Sequence, residues 1–257
     1  MERTDGARPF VGRTAIVTGG GTGIGFAVAR AFARAGAHVA VAGRSRDRLA
    51  HAAALIAEAG GSIEVVQADV AVAADCQRIV ATTVERFGAA DILINNAAHF
   101  ALVPLLEADA DAAARFLGVN VAGPLLCARA FAADVLAKGR KGAIVNVSSI
   151  SASRPAPGCG LYSASKAALD MLTRAMALEW GPKGLRVNGV APGHVATEGV
   201  LEDFQSGRLD EARMVASIPA RRIADVDDVA DAVLFLCSDR ARHVMGQTLT
   251  VDGGEGF

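Results

Sequence analysis

The stretch RTAIVTGGGTGIGFAVARAFARAG, Arg13–Gly36, decides how this chain folds. Its first half is a short β-branched apolar run that ends in glycines. Its second half carries apolar residues at helical spacing and stops at Gly36. A strand, a glycine turn and a helix in immediate succession form the opening of an α/β unit that places a helix N-terminus against an anion. The spacing is not Gly-x-Gly-x-x-Gly, because Phe26 and Val28 stand where a further glycine would be required. It is not a P-loop, because no Lys-Ser/Thr follows Gly25. It fits Gly-x-x-x-Gly-x-Gly through Gly19, Gly23 and Gly25, and a dinucleotide is the ligand this context favours over a bare flexible loop.

Outward from this unit the alternation repeats. HVAVAG (38–43) and SIEVVQAD (62–69) read as strands, with helical runs at 47–61 and 76–88 after them. DILINNAA (91–98), GAIVNVSS (142–149), LRVNGVAPG (185–193) and QTLTVDGG (247–254) complete about seven strands. Helical stretches at 107–137, 161–180 and 226–237 lie between them. Strands that are apolar throughout are buried on both faces, as in a parallel sheet wrapped by helices. The expectation is one doubly wound, Rossmann-like α/β domain over residues 1–257. The stretches 150–160 and 194–219 read as irregular, and the second as a flap over a substrate with Val200, Leu201, Phe204 and Met214 facing inward.

Composition narrows the function classes. Twenty-six Lys and Arg against 27 Asp and Glu give no field directed at nucleic acid or an acidic membrane. Four cysteines without a CxxC suit reduced thiols in a cytoplasm. The N-terminal MERTDGARPF lacks the apolar core of a signal peptide, and no apolar run approaches the ~20 residues of a span. The five histidines show no metal-ligand spacing, and no Gly-x-Ser-x-Gly marks a hydrolase serine. The expected protein is soluble and cytoplasmic, holds no metal, and acts on a small molecule.

The second strand ends in Gly43-Arg44, where NAD sites carry a carboxylate for the ribose 2′-OH. A guanidinium there suits the 2′-phosphate of NADP, the alternative being an ordinary surface arginine. Tyr162, the chain's single tyrosine, lies four residues before Lys166 on a predicted helix, so the two share a face. A cation at about 4 Å contributes roughly 4 kcal/mol at an effective dielectric near 20, which would bring a phenol toward neutral pKa. The pattern thus has a use in acid–base chemistry, although Tyr-x-x-x-Lys also occurs in helices for no such reason.

The chain resembles the short-chain dehydrogenase/reductases. TGGGTGIG, NNAA (95–98), the serine of VNVSS, YSASK and APGHVAT (191–197) occur in that family's order, and the likeness is to a 3-oxoacyl-reductase-like member. The resemblance implies that Ser149, thirteen residues before Tyr162, holds the substrate oxygen while Tyr162 moves the proton. It implies that Lys166 binds the nicotinamide ribose and that Asn120 anchors a water relay. The implied cofactor contacts are Gly19, Thr22, Gly23, Ile24, Gly25, Arg44, Ser45, Asp69, Val70, Asn96, Ala97, Tyr162, Lys166, Pro192, Gly193, Val195 and Thr197. Ala98, His99, Ser151, Cys159 and His194 would line the substrate site, with Arg154 facing the substrate or the flap. Ser149 could instead cap a turn, Asn120 mark a helix bend and Asp69 cap a helix. The implied activity is NADP(H)-dependent interconversion of a ketone and a secondary alcohol, on a 3-oxoacyl thioester or other small ketone, by a homotetramer. The rival readings are an NAD-dependent sugar or polyol dehydrogenase and a non-catalytic NADP-binding regulator. The regulator should have lost Ser149, Tyr162 or Lys166, and all three are present.

Overall fold

The computed structural model describes residues 8–256. The first seven residues of the N-terminal segment, on which the leader expectation rests, lie outside them. Seven strands, β1 (Thr14–Thr18), β2 (His38–Gly43), β3 (Ser62–Gln67), β4 (Ile92–Asn95), β5 (Gly142–Val147), β6 (Leu185–Pro192) and β7 (Thr248–Val251), form one sheet in the order β3-β2-β1-β4-β5-β6-β7. Every pairing is parallel.

Residues of each central strand divide by alternation between two cores. Ala15 and Val17 of β1, Ile92 and Ile94 of β4, and Val145 of β5 pack on one face. Ile16, Leu93 and Ile144 pack on the other. Helices α1 (Gly23–Arg34), α2 (Arg46–Glu58) and α9 (Val226–Cys237) cover the first face. The second is covered by α3 (Ala73–Phe87), α5 (Gly123–Ala137) and α6 (Gly160–Trp180). The outermost strand β7 keeps Leu249 and Thr250 exposed, as an edge strand must unless it is covered.

Two stretches differ from the sequence reading. Residues 194–219 contain two short helices, α7 (Glu198–Gln205) and α8 (Glu211–Ser217), the latter capped by Asp210, which accepts from the Arg213 amide at 3.0 Å. Val200 faces the cleft, and Phe204 and Met214 are half-buried, but Leu201 is exposed rather than inward. Gly199 and Gly207 interrupt the periodicity, so neither helix is long enough to stand out in the sequence.

The second stretch is the continuous helical run Ala110–Ala137, whose most apolar window has a mean hydropathy of 1.5 and meets the length and composition of a span. A helical stretch at 107–137 was expected here but no span-like run; Asp111, Arg115, Arg129 and Asp134 interrupt its apolar residues. Here it is a core element, α4 (Ala110–Leu117) followed by α5, with Phe116, Cys127, Ala128, Phe131 and Val135 buried. Between the two lies a π-helical turn, Gly118–Ala122, which carries Asn120. Such turns recur at functional sites, since the extra residue redirects a side chain.

Candidate active site

All seven strands deliver a residue to one edge of the sheet. Gly19, Arg44, Asp69, Asn96, Ser149, Gly193 and Glu255 follow the C-terminal ends of β1 to β7 and line two adjoining cavities. The larger, about 640 Å³, holds Ser149, Tyr162 and Lys166; the smaller, about 360 Å³, holds the glycine turn and Arg44. Ile24, Asn96, Ala98 and Thr197 line both, so they form one cleft. It straddles the gap between β1 and β4, where the strand order reverses and doubly wound sheets bind ligands.

The glycine turn is fitted for a phosphate-bearing group. Gly19 and Gly23 have φ of 66° and 54°, a region side chains rarely adopt. A Cβ on Gly25 would stand 2.2 Å from the Gly19 carbonyl oxygen. Thr22, which precedes α1, makes no side-chain cap, and the helix has no acid in its first turn. Its first amides are therefore not claimed by a capping side chain, and the macrodipole meets no competing charge. Thr18 ties the turn to β4: its hydroxyl accepts from the amides of Asn96 (3.0 Å) and Ala97 (3.1 Å) and donates to the Ile94 carbonyl. Asn96 Nδ2 donates back to the carbonyls of Thr18 (3.0 Å) and Gly19 (3.2 Å). These residues fit a nicotinamide dinucleotide. Thr22, Ile24, Gly25, Arg44, Asp69, Val70, Asn96 and Ala97 line the smaller cavity, while Pro192, Gly193, Val195 and Thr197 line the larger.

The candidate catalytic side chains are placed by a buried polar chain. Asn95 of β4 donates to Asn146 Oδ1 of β5 at 2.8 Å, and Asn146 donates to Thr173 of α6 at 2.8 Å. This fixes α6 against the strand end that carries Ser149. Ser149 accepts from the Ser151 amide at 3.1 Å, so it does cap a turn, and its hydroxyl also hydrogen-bonds the Tyr162 phenol. Phe100 packs edge-on against Tyr162 with ring centroids 5.0 Å apart. Lys166 is buried, donates to the Val147 carbonyl at 2.7 Å, and stands 5.6 Å from the Tyr162 ring centroid.

A family model described as enoyl-(acyl carrier protein) reductase matches residues 19–255. Human dehydrogenase/reductase SDR family member 4 is 36% identical, over 99% of this chain and 90% of its own. The chain belongs to the short-chain dehydrogenase/reductase family. The L-rhamnose 1-dehydrogenase (NAD(P)(+)) of Azotobacter vinelandii is 39% identical, over 95% of this chain and 97% of its own. A solved Beutenbergia cavernae structure, provisionally described as an NAD(P)-dependent gluconate 5-dehydrogenase with NADP bound at low occupancy, superposes with a TM-score of 0.88. It is 39% identical and covers 97% of this chain and 99% of that one.

Within this dehydrogenase/reductase framework several residues sit elsewhere than the sequence reading placed them. Ser45 lies outside both cavities and accepts from the Arg48 amide as the cap of α2. Gly23 also lies outside them, and a Cβ added there would stand 3.3 Å from Thr197 Cγ2. Asn120 is wholly buried beneath the cleft. Its Oδ1 accepts from the His99 amide (2.7 Å), and its Nδ2 donates to the His99 carbonyl (2.9 Å) and to Ser165 (2.9 Å). Its side chain therefore positions a wall, and the helix-bend reading holds as well. That clasp turns His99 away from the substrate side. It lines the smaller cavity and packs on Phe116, with burial first and then the Arg115 and Arg44 charges holding its pKa below the usual value. Asp69 accepts from the Ala71 amide at 2.9 Å and lines the cleft, while the cap of α3 is Val72. Ala98, Ser151, Cys159 and His194 do line the catalytic cavity. Phe100, Arg115 and Glu255 also line the cleft, and nothing periodic in the sequence marks them.

The electrostatics reverse one expectation. Burial holds the Tyr162 phenol above its ordinary range; the Ser149 hydrogen bond only partly offsets this, and Lys166 is not among the causes. The lysine is itself desolvated, its pKa pushed down to about 8 from 10.5, and its ammonium donates to the Val147 carbonyl. Below pH 8 both folded and unfolded chains hold the Lys166 proton; between 8 and 10.5 only the unfolded chain does. The unfolded state then binds more protons, so stability contributed at this site rises with pH across that window. The unfolding free energy of wild type minus that of Lys166→Met should climb by up to about 3 kcal/mol between those limits, measured by urea titration at several pH values. A pH-independent difference would place the amine in water.

Proposed function

We propose that this protein is an NADP(H)-dependent oxidoreductase that interconverts a ketone and a secondary alcohol, chiefly in the reductive direction. The observation that carries the reading is the convergence of Ser149, Tyr162 and Lys166 in a cavity continuous with a glycine turn and Arg44. When bound, the nicotinamide supplies the hydride. Ser149 and Tyr162 hydrogen-bond the substrate oxygen, and Tyr162 donates the proton as that oxygen gains charge. Lys166 holds the ribose. Val147, Ile150, Val200 and Pro219 exclude water around the reacting atoms.

NADP preference rests on Arg44, whose loop is steadied by Gln67 Nε2 donating to its carbonyl at 3.0 Å. Charge-assisted hydrogen bonds contribute about 1.5–3 kcal/mol, so Arg44→Ala should weaken NADPH binding by roughly 10- to 100-fold and NADH binding far less. Calorimetric titration of both cofactors against both proteins, then turnover on a ketone panel, tests the assignment. Equal affinities in the wild type would remove Arg44 from its role, and binding without turnover on any carbonyl would favour a regulator.

A second reading of the substrate has its own support. A 3-oxoacyl thioester or small ketone suits the family-wide chemistry, whereas a sugar or polyol draws on the rhamnose and gluconate names of relatives and on the polar groups in the cavity. We take the protein further to be a cytoplasmic homotetramer. Leu105, Leu106, Leu117 and Leu178 present apolar surface for two-fold association, and the four cysteines are unpaired and buried. Sedimentation velocity tests the assembly.

A further inference from the structure

Beyond β7 the chain turns back over the end of β6. Asp252 organises the turn, its carboxylate accepting from the amides of Gly254 (2.9 Å) and Gly256 (2.7 Å). Gly253 and Gly254 take φ of 62° and 88°, which a side chain would resist. The turn seats Glu255 on the Gly193–His194 backbone. Its Oε2 accepts from the His194 amide at 3.1 Å, and its Oε1 lies 2.5 Å from His194 Nδ1. A Cβ on Gly193 would come within 2.7 Å of Oε2, so the carboxylate lies directly against the backbone. Arg154 donates to the Glu255 carbonyl and fixes the turn from the far side. The Glu255 side chain is only 12% exposed, yet it lines the cavity that holds Ser149 and Tyr162.

A carboxylate is acceptor-only and offers about four lone-pair sites, of which His194 occupies two. What remains of it faces the cavity beside the imidazole of His194 and the hydroxyl of Ser151. An alkyl chain placed there would desolvate the carboxylate and return nothing. An anionic group would meet like charge at Glu255. A hydroxyl both donates to the carboxylate and accepts from the donors beside it.

We infer that Glu255, held by His194, is a specificity-determining acceptor for substrate hydroxyls, and that the substrate is a neutral polyhydroxylated ketone or alcohol. This rests on the oxidoreductase reading above. A site built to hydrogen-bond a hydroxyl discriminates against the analogue that lacks it, because its buried polar group is left unpaired.

The test compares a ketopentose and a 2-oxo acid with an alkyl ketone of equal chain length, using wild type, Glu255→Gln and Glu255→Ala. NADPH affinity serves as the control for an intact cleft. Wild type should favour the ketopentose in kcat/KM by about 100-fold over the alkyl ketone, and both variants should cut that ratio to roughly 10 or less, mostly through KM. Equal losses on both ketones, an unaltered ratio, or a wild-type preference for the 2-oxo acid would overturn the inference. If no ketone is turned over, the oxidoreductase reading fails separately. Calorimetric binding of a pentitol to the NADP+-loaded protein then decides the role of Glu255, the expected result being binding to wild type that is lost in Glu255→Ala.

Discussion

Turnover should fall about a thousandfold when Tyr162 becomes Phe, while NADPH binding stays within a few-fold of wild type. Only the phenolic oxygen is removed. The ring keeps its edge-on contact with Phe100, and α6 keeps its buried tie to β5 through Asn146 and Thr173, so the fold should not register the change. Ser149 loses one hydrogen-bond partner but retains the Ser151 amide. The loss should therefore appear in kcat and not in cofactor affinity, since the missing interaction is with an oxygen whose charge develops only in the transition state. Burial makes the prediction sharper. Burial holds the phenol above its ordinary pKa, so the proton is on the oxygen before the substrate arrives. Single-turnover reduction in wild type and variant, with cofactor affinity measured in parallel, checks both halves. Turnover in Tyr162→Phe within tenfold of wild type would mean that the proton comes from another group.

What the sequence disclosed follows from which forces act locally. Strand–helix alternation was legible because buried parallel strands must be apolar on both faces, and glycines such as Gly36 and Gly88 end helices by adopting positive φ. That Ser149, Tyr162 and Lys166 would meet in one cavity was legible because Tyr162 and Lys166 are neighbours on one helix, and Ser149 lies at the end of the adjoining β5. Other features depend on tertiary placement. Glu255 matters only because β7 ends beside β6: Asp252, Gly253 and Gly254 mark a local turn, but they do not show that the turn lays the carboxylate on the Gly193–His194 backbone. His99 adjoins the NNAA turn in sequence, yet Asn120 grips its backbone at both the amide and the carbonyl and sends the ring to the other cavity. The π turn that carries Asn120 lies inside the continuous helical run from Ala110 to Ala137, and a helical reading does not resolve one extra residue in its hydrogen bonding. The phenol's electrostatics were misjudged for a related reason. Spacing places a cation near Tyr162 but cannot show that burial weakens that cation or that Val147 already engages it.

Gly25→Ala should abolish measurable cofactor binding at concentrations that saturate wild type, a loss of more than about 100-fold, although it adds one methyl group. The added Cβ would stand 2.2 Å from the Gly19 carbonyl oxygen and 2.4 Å from Asn96 Nδ2. Neither neighbour can give way cheaply. Gly19 is backbone in a positive-φ turn, its amide bound to the Ala42 carbonyl at 2.7 Å. Asn96 Nδ2 donates to two carbonyls of the same turn, at Thr18 and Gly19. Relief therefore requires α1 to move away from β1, which withdraws the first helical amides from the place a phosphate would occupy. Overpacking of this kind costs about 1–3 kcal/mol in stability, so the variant should still fold, with a Tm lowered by a few degrees. Gly21 provides the control. A Cβ there meets nothing nearer than 3.3 Å, and the contact is with Arg48 at the start of α2, so Gly21→Ala should bind NADPH within about tenfold of wild type. Titration of both variants with NADPH, alongside thermal unfolding, separates a damaged cradle from a damaged fold. Retained affinity in Gly25→Ala would show that the glycine serves helix–strand packing alone and that the anion is held elsewhere.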